Sequence, residues 1–156
     1  MTMCRELQTY LDTHHVPYEV LTHPIVYTAQ EVAHAQHIPG REIAKVVIVK
    51  TEEGAPLMLV LPATHTVDFA RLQAVLGIPA ELEDERAFRD LFPDCKTGAA
   101  PPFGNLFGLN TLVDTALAQD EQIVFNAGSH WQTVRLRYGD FVRLLQPCIA
   151  AFARHL

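Results

Sequence analysis

Lys45-Val46-Val47-Ile48-Val49-Lys50-Thr51 and Pro56-Leu57-Met58-Leu59-Val60-Leu61 decide how this chain folds. Both runs are rich in β-branched and apolar residues, and only Glu52-Glu53-Gly54-Ala55 separates them, which predicts a β-hairpin. Neither run alternates cleanly between apolar and polar, so both strands should be covered on both faces. A purely helical fold is excluded.

Toward the N-terminus, residues 3–15 read as a helix with Leu7, Tyr10 and Leu11 on one side, ending before Val16-Pro17. Residues 18–22 read as a short strand, and His23-Pro24 turns the chain. Thr28-Ala29-Gln30-Glu31 is a capping-box pattern, opening a helix through about His37 that Pro39-Gly40 stops. Its apolar stripe, Ala29, Val32 and Ala33, is narrow and suits close packing. Toward the C-terminus, Asp68 opens a helix that ends at Gly77, and a shorter one runs from Asp84 to about Phe92. Residues 94–110 form a glycine- and proline-rich loop of a length that is more often functional than idle. Strands follow at 111–113, 122–127 and 131–137, the last two a hairpin across Gly128-Ser129-His130. Asp140 is expected to cap a helix, and Pro147 to start or kink a final C-terminal one. Hairpins mix with crossovers and strands do not alternate regularly with helices. The expectation is one α+β domain over residues 1–156, with a strongly curved, barrel-like mixed sheet flanked by helices.

The composition narrows the function classes. A chain of 156 residues, 49% hydrophobic and 19% charged, has an ordinary globular make-up. Its 18 acidic and 12 basic side chains leave a net charge of −6, against the basic excess of a protein that wraps a long nucleic acid. Any nucleic-acid contact should therefore be local, as at a strand end. Cys4, Cys95 and Cys148 are sparse and unpaired in spacing, which suits a reducing compartment. The first residues lack a secretory pattern, and no apolar run reaches the roughly 20 residues of a membrane span. The expected location is cytoplasmic.

Several residues carry candidate chemistry. Lys45 opens a strand whose next four residues are apolar. Two readings stay open: an ammonium that needs an anionic or carbonyl partner, and a strand-end lysine snorkelling to water. Gly98-Ala99-Ala100-Pro101-Pro102-Phe103-Gly104 is either a structural turn or a loop whose backbone N–H groups converge on a carbonyl or phosphate oxygen. Asn126-Ala127-Gly128-Ser129-His130 is either a pocket edge or an ordinary turn. Glu31, His34 and His37 lack matching ligands elsewhere and read as a solvated helix side, not a metal face. Cys95 beside Lys96 has no identifiable activating histidine, so a thiol nucleophile is set aside.

In order, His23-Pro24, Thr28-Ala29-x-Glu31-Val32-Ala33, Ala44-Lys45-Val46-Val47, Pro62 with Asp68, Gly98-x-x-x-Pro102-Phe103-Gly104, Val113-Asp114 and Asn126-Ala127-Gly128 resemble the YbaK/prolyl-tRNA-synthetase editing-domain family of aminoacyl-tRNA deacylases. The resemblance runs from about residue 5 to residue 145. It implies hydrolysis of the ester joining a mischarged amino acid to the 3′-terminal adenosine of tRNA, often proline tRNA, without metal or organic cofactor. It implies catalytic positions at Lys45, Gly98 and Pro102. Substrate contacts would come from His23, Thr28, Ala99, Ala100, Pro101, Phe103, Gly104, Asn126, Gly128, Ser129 and His130. The implied partners are the tRNA 3′ acceptor end and an aminoacyl-tRNA synthetase, with neither membrane nor DNA. Val26, Tyr27, Ile43, Val47 and Phe103 are candidates to line the amino-acid pocket, and Arg41, Lys50, Arg135 and Arg137 for a positive rim. The alternative is a non-catalytic module of the same fold that holds a nucleotide or a tRNA end.

Overall fold

The computed structural model describes residues 3–93, 95–96 and 98–156; positions 94 and 97 of the glycine–proline loop lie outside the described residues. The predicted hairpin is the centre of the molecule. Strands β2 (Ala44–Thr51) and β3 (Leu57–Pro62) pair antiparallel, with Lys45 opposite Leu61 and Val49 opposite Leu57. Each face of the pair is covered, as the continuous apolar pattern requires. Ala44, Val46, Ile48, Met58 and Val60 point into the larger core cluster, and Val47, Val49, Leu59 and Leu61 into a second one.

Around that pair the chain builds a mixed five-stranded sheet, β5-β2-β3-β6-β9, from β5 (Ala80–Leu82), β6 (Asn110–Asp114) and β9 (Cys148–Ala150). Strand β6 lies parallel to both β3 and β9. A three-stranded sheet joins β1 (Glu19–Thr22), β8 (Gln132–Arg137) and β7 (Gln122–Asn126), all antiparallel. A two-stranded ribbon pairs β4 (His65–Val67) with β10 (Ala153–His155). A single parallel bridge between Ile43 and Val124 joins the two larger sheets. The architecture is mixed α+β, as expected, and the strands of the described residues lie in three sheets with no closed barrel.

Among the described residues five α-helices flank the sheets: α1 (Arg5–Thr13), α2 (Ala29–Gln36), α3 (Phe69–Leu76), α4 (Glu85–Phe88) and α5 (Tyr138–Leu145). Asp68 accepts the N–H groups of Ala70 and Arg71 to open α3, and Gly77 closes it in the left-handed region at φ 81°. Two C-terminal expectations are corrected. Helix α5 begins at Tyr138, so Asp140 sits inside its first turn and accepts from Arg143 instead of capping. After Pro147 there is no helix: the chain forms β9 and β10. Their anchor is Asp114, 2% exposed, whose carboxylate accepts the backbone N–H groups of Phe152, Ala153 and Ala116, each at 2.9 Å. Three charge-assisted bonds hold that carboxylate, and the two from Phe152 and Ala153 tie down the C-terminal chain where β10 begins.

Candidate active-site cleft

The cleft is built where α2, the start of β2 and the end of β7 meet. The Thr28 hydroxyl accepts the Glu31 N–H at 3.1 Å, and the Glu31 carboxylate accepts the Thr28 N–H at 3.1 Å. This capping box fixes the start of α2, and Val32 then packs with Ile43 and Val124 in a small apolar cluster. The alanines at 29 and 33 keep the helix close to that cluster. The Ile43–Val124 bridge sets the two chain segments side by side. Two residues further along each, on the same face by strand alternation, stand Lys45 and Asn126. Both line a cleft of about 160 Å³, with Gly98 and Ala100 on its other wall.

Lys45 is the charged side chain among the residues lining the cleft. It is half-buried, and burial pushes its ammonium below the usual lysine range. No salt bridge ties it among the described residues. The Asn126 side-chain oxygen is buried in the same wall with no hydrogen-bond partner. A half-desolvated cation beside an orphaned amide is the pattern of a site awaiting a polar ligand.

The glycine–proline loop is pinned across from them. Lys96 N–H donates to the Gly128 carbonyl at 2.8 Å, Ala99 N–H to the Lys96 carbonyl at 3.0 Å, and Gly128 N–H to the Ala99 carbonyl at 2.9 Å. Gly98 at φ 83° and Gly128 at φ 105° both occupy the left-handed region that side chains avoid. Gly98 and Ala100 reach the cleft, while Ala99, Pro101, Pro102, Phe103 and Gly104 are buried behind it. Phe103 belongs to the core, edge-on to Tyr10, Phe125 and Phe141. A Cβ on Gly104 would run into the Thr111 hydroxyl and come within 2.9 Å of the Leu109 carbonyl, so that glycine is required by packing.

Other predicted site residues sit near the cleft without lining it. Thr28 spends its hydroxyl on the cap. His23 is buried, its Nδ1 2.7 Å from the Pro24 carbonyl, and its N–H donates to the Trp131 carbonyl. Ser129 is buried, and Gly128 lies beneath Cys4, which donates its N–H to the Ala127 carbonyl. His130 packs against Tyr27, with ring centroids 4.8 Å apart. Sequence reasoning named Tyr27 and Ile43 for the amino-acid pocket; both line this cleft, together with Ala29, Val32, Ala44 and Val46.

A smaller annex of about 60 Å³ adjoins the cleft, sharing Val46, Gly98 and Ala100 with it and adding the apolar Ile48 and Phe92, Cys95, and the cations Arg89 and Lys96. The Cys4 thiol is held below its usual range, chiefly by a hydrogen bond with the Cys95 side chain. The expected positive rim is largely cancelled. Arg41 pairs with Asp120 at 3.6 Å, Lys50 with Glu81 and Glu83 at 3.6 and 3.7 Å, and Arg135 with Glu19 at 3.1 Å. Among the described residues, no group of three or more histidine, cysteine or carboxylate side chains is placed to hold a metal ion, and no helix is long and apolar enough to cross a membrane.

Several known proteins resemble this chain in sequence or in fold. The Escherichia coli K12 multifunctional Ser/Thr-tRNA deacylase ProXp-y is 26% identical over 148 residues, covering 88% of this chain and 84% of that protein. A proposed trans-editing enzyme for prolyl tRNA synthetase superposes with a TM-score of 0.82 at 21% identity, covering 96% of each chain. A hypothetical protein of solved structure reaches 0.86 at 16% identity, over 96% of this chain and 100% of its own. These two structures establish the fold. The family described as the aminoacyl-tRNA editing domain matches residues 23–144, more than three quarters of the chain. This chain therefore belongs to the aminoacyl-tRNA editing domain family and is an aminoacyl-tRNA deacylase, a hydrolase of the ester between amino acid and tRNA.

Proposed function

We propose that the chain acts in trans on a mischarged tRNA, and that Lys45 with the Gly98–Pro102 loop positions the aminoacylated 3′ adenosine. The observation that carries this reading is the shared cleft: Lys45, Asn126, Gly98 and Ala100 line one cavity. Water attacks the ester carbonyl carbon, a new C–O bond forms, and the bond to the ribose oxygen breaks. The departing oxygen takes a proton, leaving a free amino acid and an intact tRNA hydroxyl. A neighbouring ribose hydroxyl helps to deprotonate the water, while Lys45 holds the terminal phosphate or the carbonyl oxygen. The backbone of Gly98 and Ala100 and the Asn126 amide complete the placement, and exact placement supplies much of the rate in such a reaction.

The amino acid is small, serine or threonine, on a tRNA of the proline type. The name of the E. coli relative supports the first part, and the modest annex beside Gly98 and Val46 suits a short side chain. A partner synthetase supplies the contacts to the body of the tRNA, and three cysteines outside any disulfide fit a reducing, cytoplasmic setting. The test is a panel of tRNAs charged with serine, threonine, alanine or proline, incubated with substoichiometric protein while free amino acid is followed. Catalytic release of serine or threonine supports the assignment. Binding without turnover would instead favour a module that only holds the tRNA end.

A further inference from the structure

Charge is scarce in this cleft. The net charge is −6, Arg41 and Arg135 are paired, and among the described residues Lys45 is the one charged side chain lining the cleft itself, with Arg89 and Lys96 in the annex beside it. An uncharged contact would add affinity beyond what these few cations supply. At the mouth of the same cleft stands Tyr27, 67% exposed, with Ile25 beside it at 64%. An exposed tyrosine on a loop would ordinarily be mobile, but this one is fastened on both sides. Val26 N–H donates to the His130 carbonyl at 3.2 Å, and Thr28 is locked in the capping box. The Tyr27 ring is further backed by the His130 ring, tilted at 57°. A Cβ placed on Gly98 would lie 3.7 Å from that same histidine ring, so the platform stands next to the loop that lines the cleft.

We infer that Tyr27 is a positioning residue whose open face stacks on a nucleobase of the tRNA acceptor end, with His130 as its buttress. This rests on the deacylase reading and adds to it the means of recognition. Aromatic rings accept any base face and keep their grip in salt, unlike phosphate contacts. A ring already held in place also loses little freedom on binding, so its stacking is not spent on ordering a loop.

Two measurements test it. In the first, binding of the trinucleotide CCA is titrated for the wild type, Tyr27→Phe, Tyr27→Trp and Tyr27→Ala. Tyr27→Ala should weaken binding by roughly 5- to 150-fold, the span expected for one stacked base; the Phe and Trp variants should stay near wild type. Raising salt from about 50 to 200 mM should weaken wild-type binding only about threefold, the response of a single phosphate contact to single-stranded nucleic acid. In the second, hydrolysis of seryl-adenosine is compared with that of serine methyl ester. The preference for the adenosine ester should fall in Tyr27→Ala through KM with kcat little changed. Wild-type binding by Tyr27→Ala, loss in Tyr27→Phe equal to that in Tyr27→Ala, or a salt response of a hundredfold would each overturn the inference. Tyrosine-dependent CCA binding with no hydrolysis of either ester would instead sink the deacylase reading and leave the stacking platform standing.

Discussion

At the scale of single residues, Lys45 combines a cost to the fold with its proposed use in the site. Burial lowers its pKa, so the folded state sheds its proton before the unfolded chain does. Stability contributed by this position therefore rises as pH climbs from the folded pKa toward the ordinary value of 10.5. At neutral pH the charged form is retained in the fold against its solvation preference. Lys45→Met should then raise the melting temperature while reducing deacylation by about 10²–10³-fold, the range for losing one preorganised charge contact. A calorimetric scan beside a single-turnover assay checks both halves, and a variant that keeps full activity removes the ammonium from the mechanism. In the wild type, KM should begin to rise with pH below 10.5, because the neutral amine no longer attracts phosphate or carbonyl oxygen. Gly98 makes the complementary case. Its φ of 83° is strained for any side chain, although a Cβ there would meet only an ordinary contact with His130. Gly98→Ala should cost about 1–2 kcal/mol of backbone strain and reduce activity through a displaced loop, read as a lower kcat with folding preserved.

Elements explain what was legible beforehand and what was not. The β2–β3 hairpin, the Thr28–Glu31 box and the Asp68-to-Gly77 helix were readable because their signals are local: a continuous apolar run, a reciprocal cap, a glycine stop. Strands β4, β5, β9 and β10 have three residues each, too short for any period to register, and they exist through their partners. The helix expected after Pro147 failed for that reason. What overrides local preference there is Asp114, which sits far away in the chain and organises Phe152 and Ala153. The cleft was half legible. Lys45 and Gly98 stand out as candidate site positions, but Pro102, Phe103 and Gly104 are indistinguishable from lining residues until packing puts them in the core. Asp114→Ala should therefore cost roughly 3 kcal/mol or more, since hydrogen bonds to a charged acceptor run at about 1.5–3 kcal/mol each. Urea unfolding would register it, and hydrogen exchange should show β10 opening first. A loss within about 0.5 kcal/mol, the usual range for surface changes, would mean the C-terminal strands hold without that anchor.

For the whole molecule, the decisive quantity is how little of its surface suits a duplex. The acidic excess and the ion pairs that occupy Arg41, Lys50 and Arg135 reduce the positive charge open to an acceptor stem. Such exposed pairs add little to stability, but each one neutralises a cation that RNA would otherwise meet. On the proposed reading, recognition is concentrated at the cleft that Lys45, Asn126 and Gly98 line. It follows that a short aminoacylated acceptor minihelix should be deacylated with nearly the same KM as the full mischarged tRNA when the protein works alone. Adding the partner synthetase should lower KM for the full tRNA and leave the minihelix unaffected, because only the former offers the synthetase something to hold. Side-by-side kinetics on the two substrates, with and without synthetase, decide it. A large preference for full-length tRNA in the isolated protein would reveal a docking surface outside the cleft and would return the body of the tRNA to the account of how this fold finds its substrate.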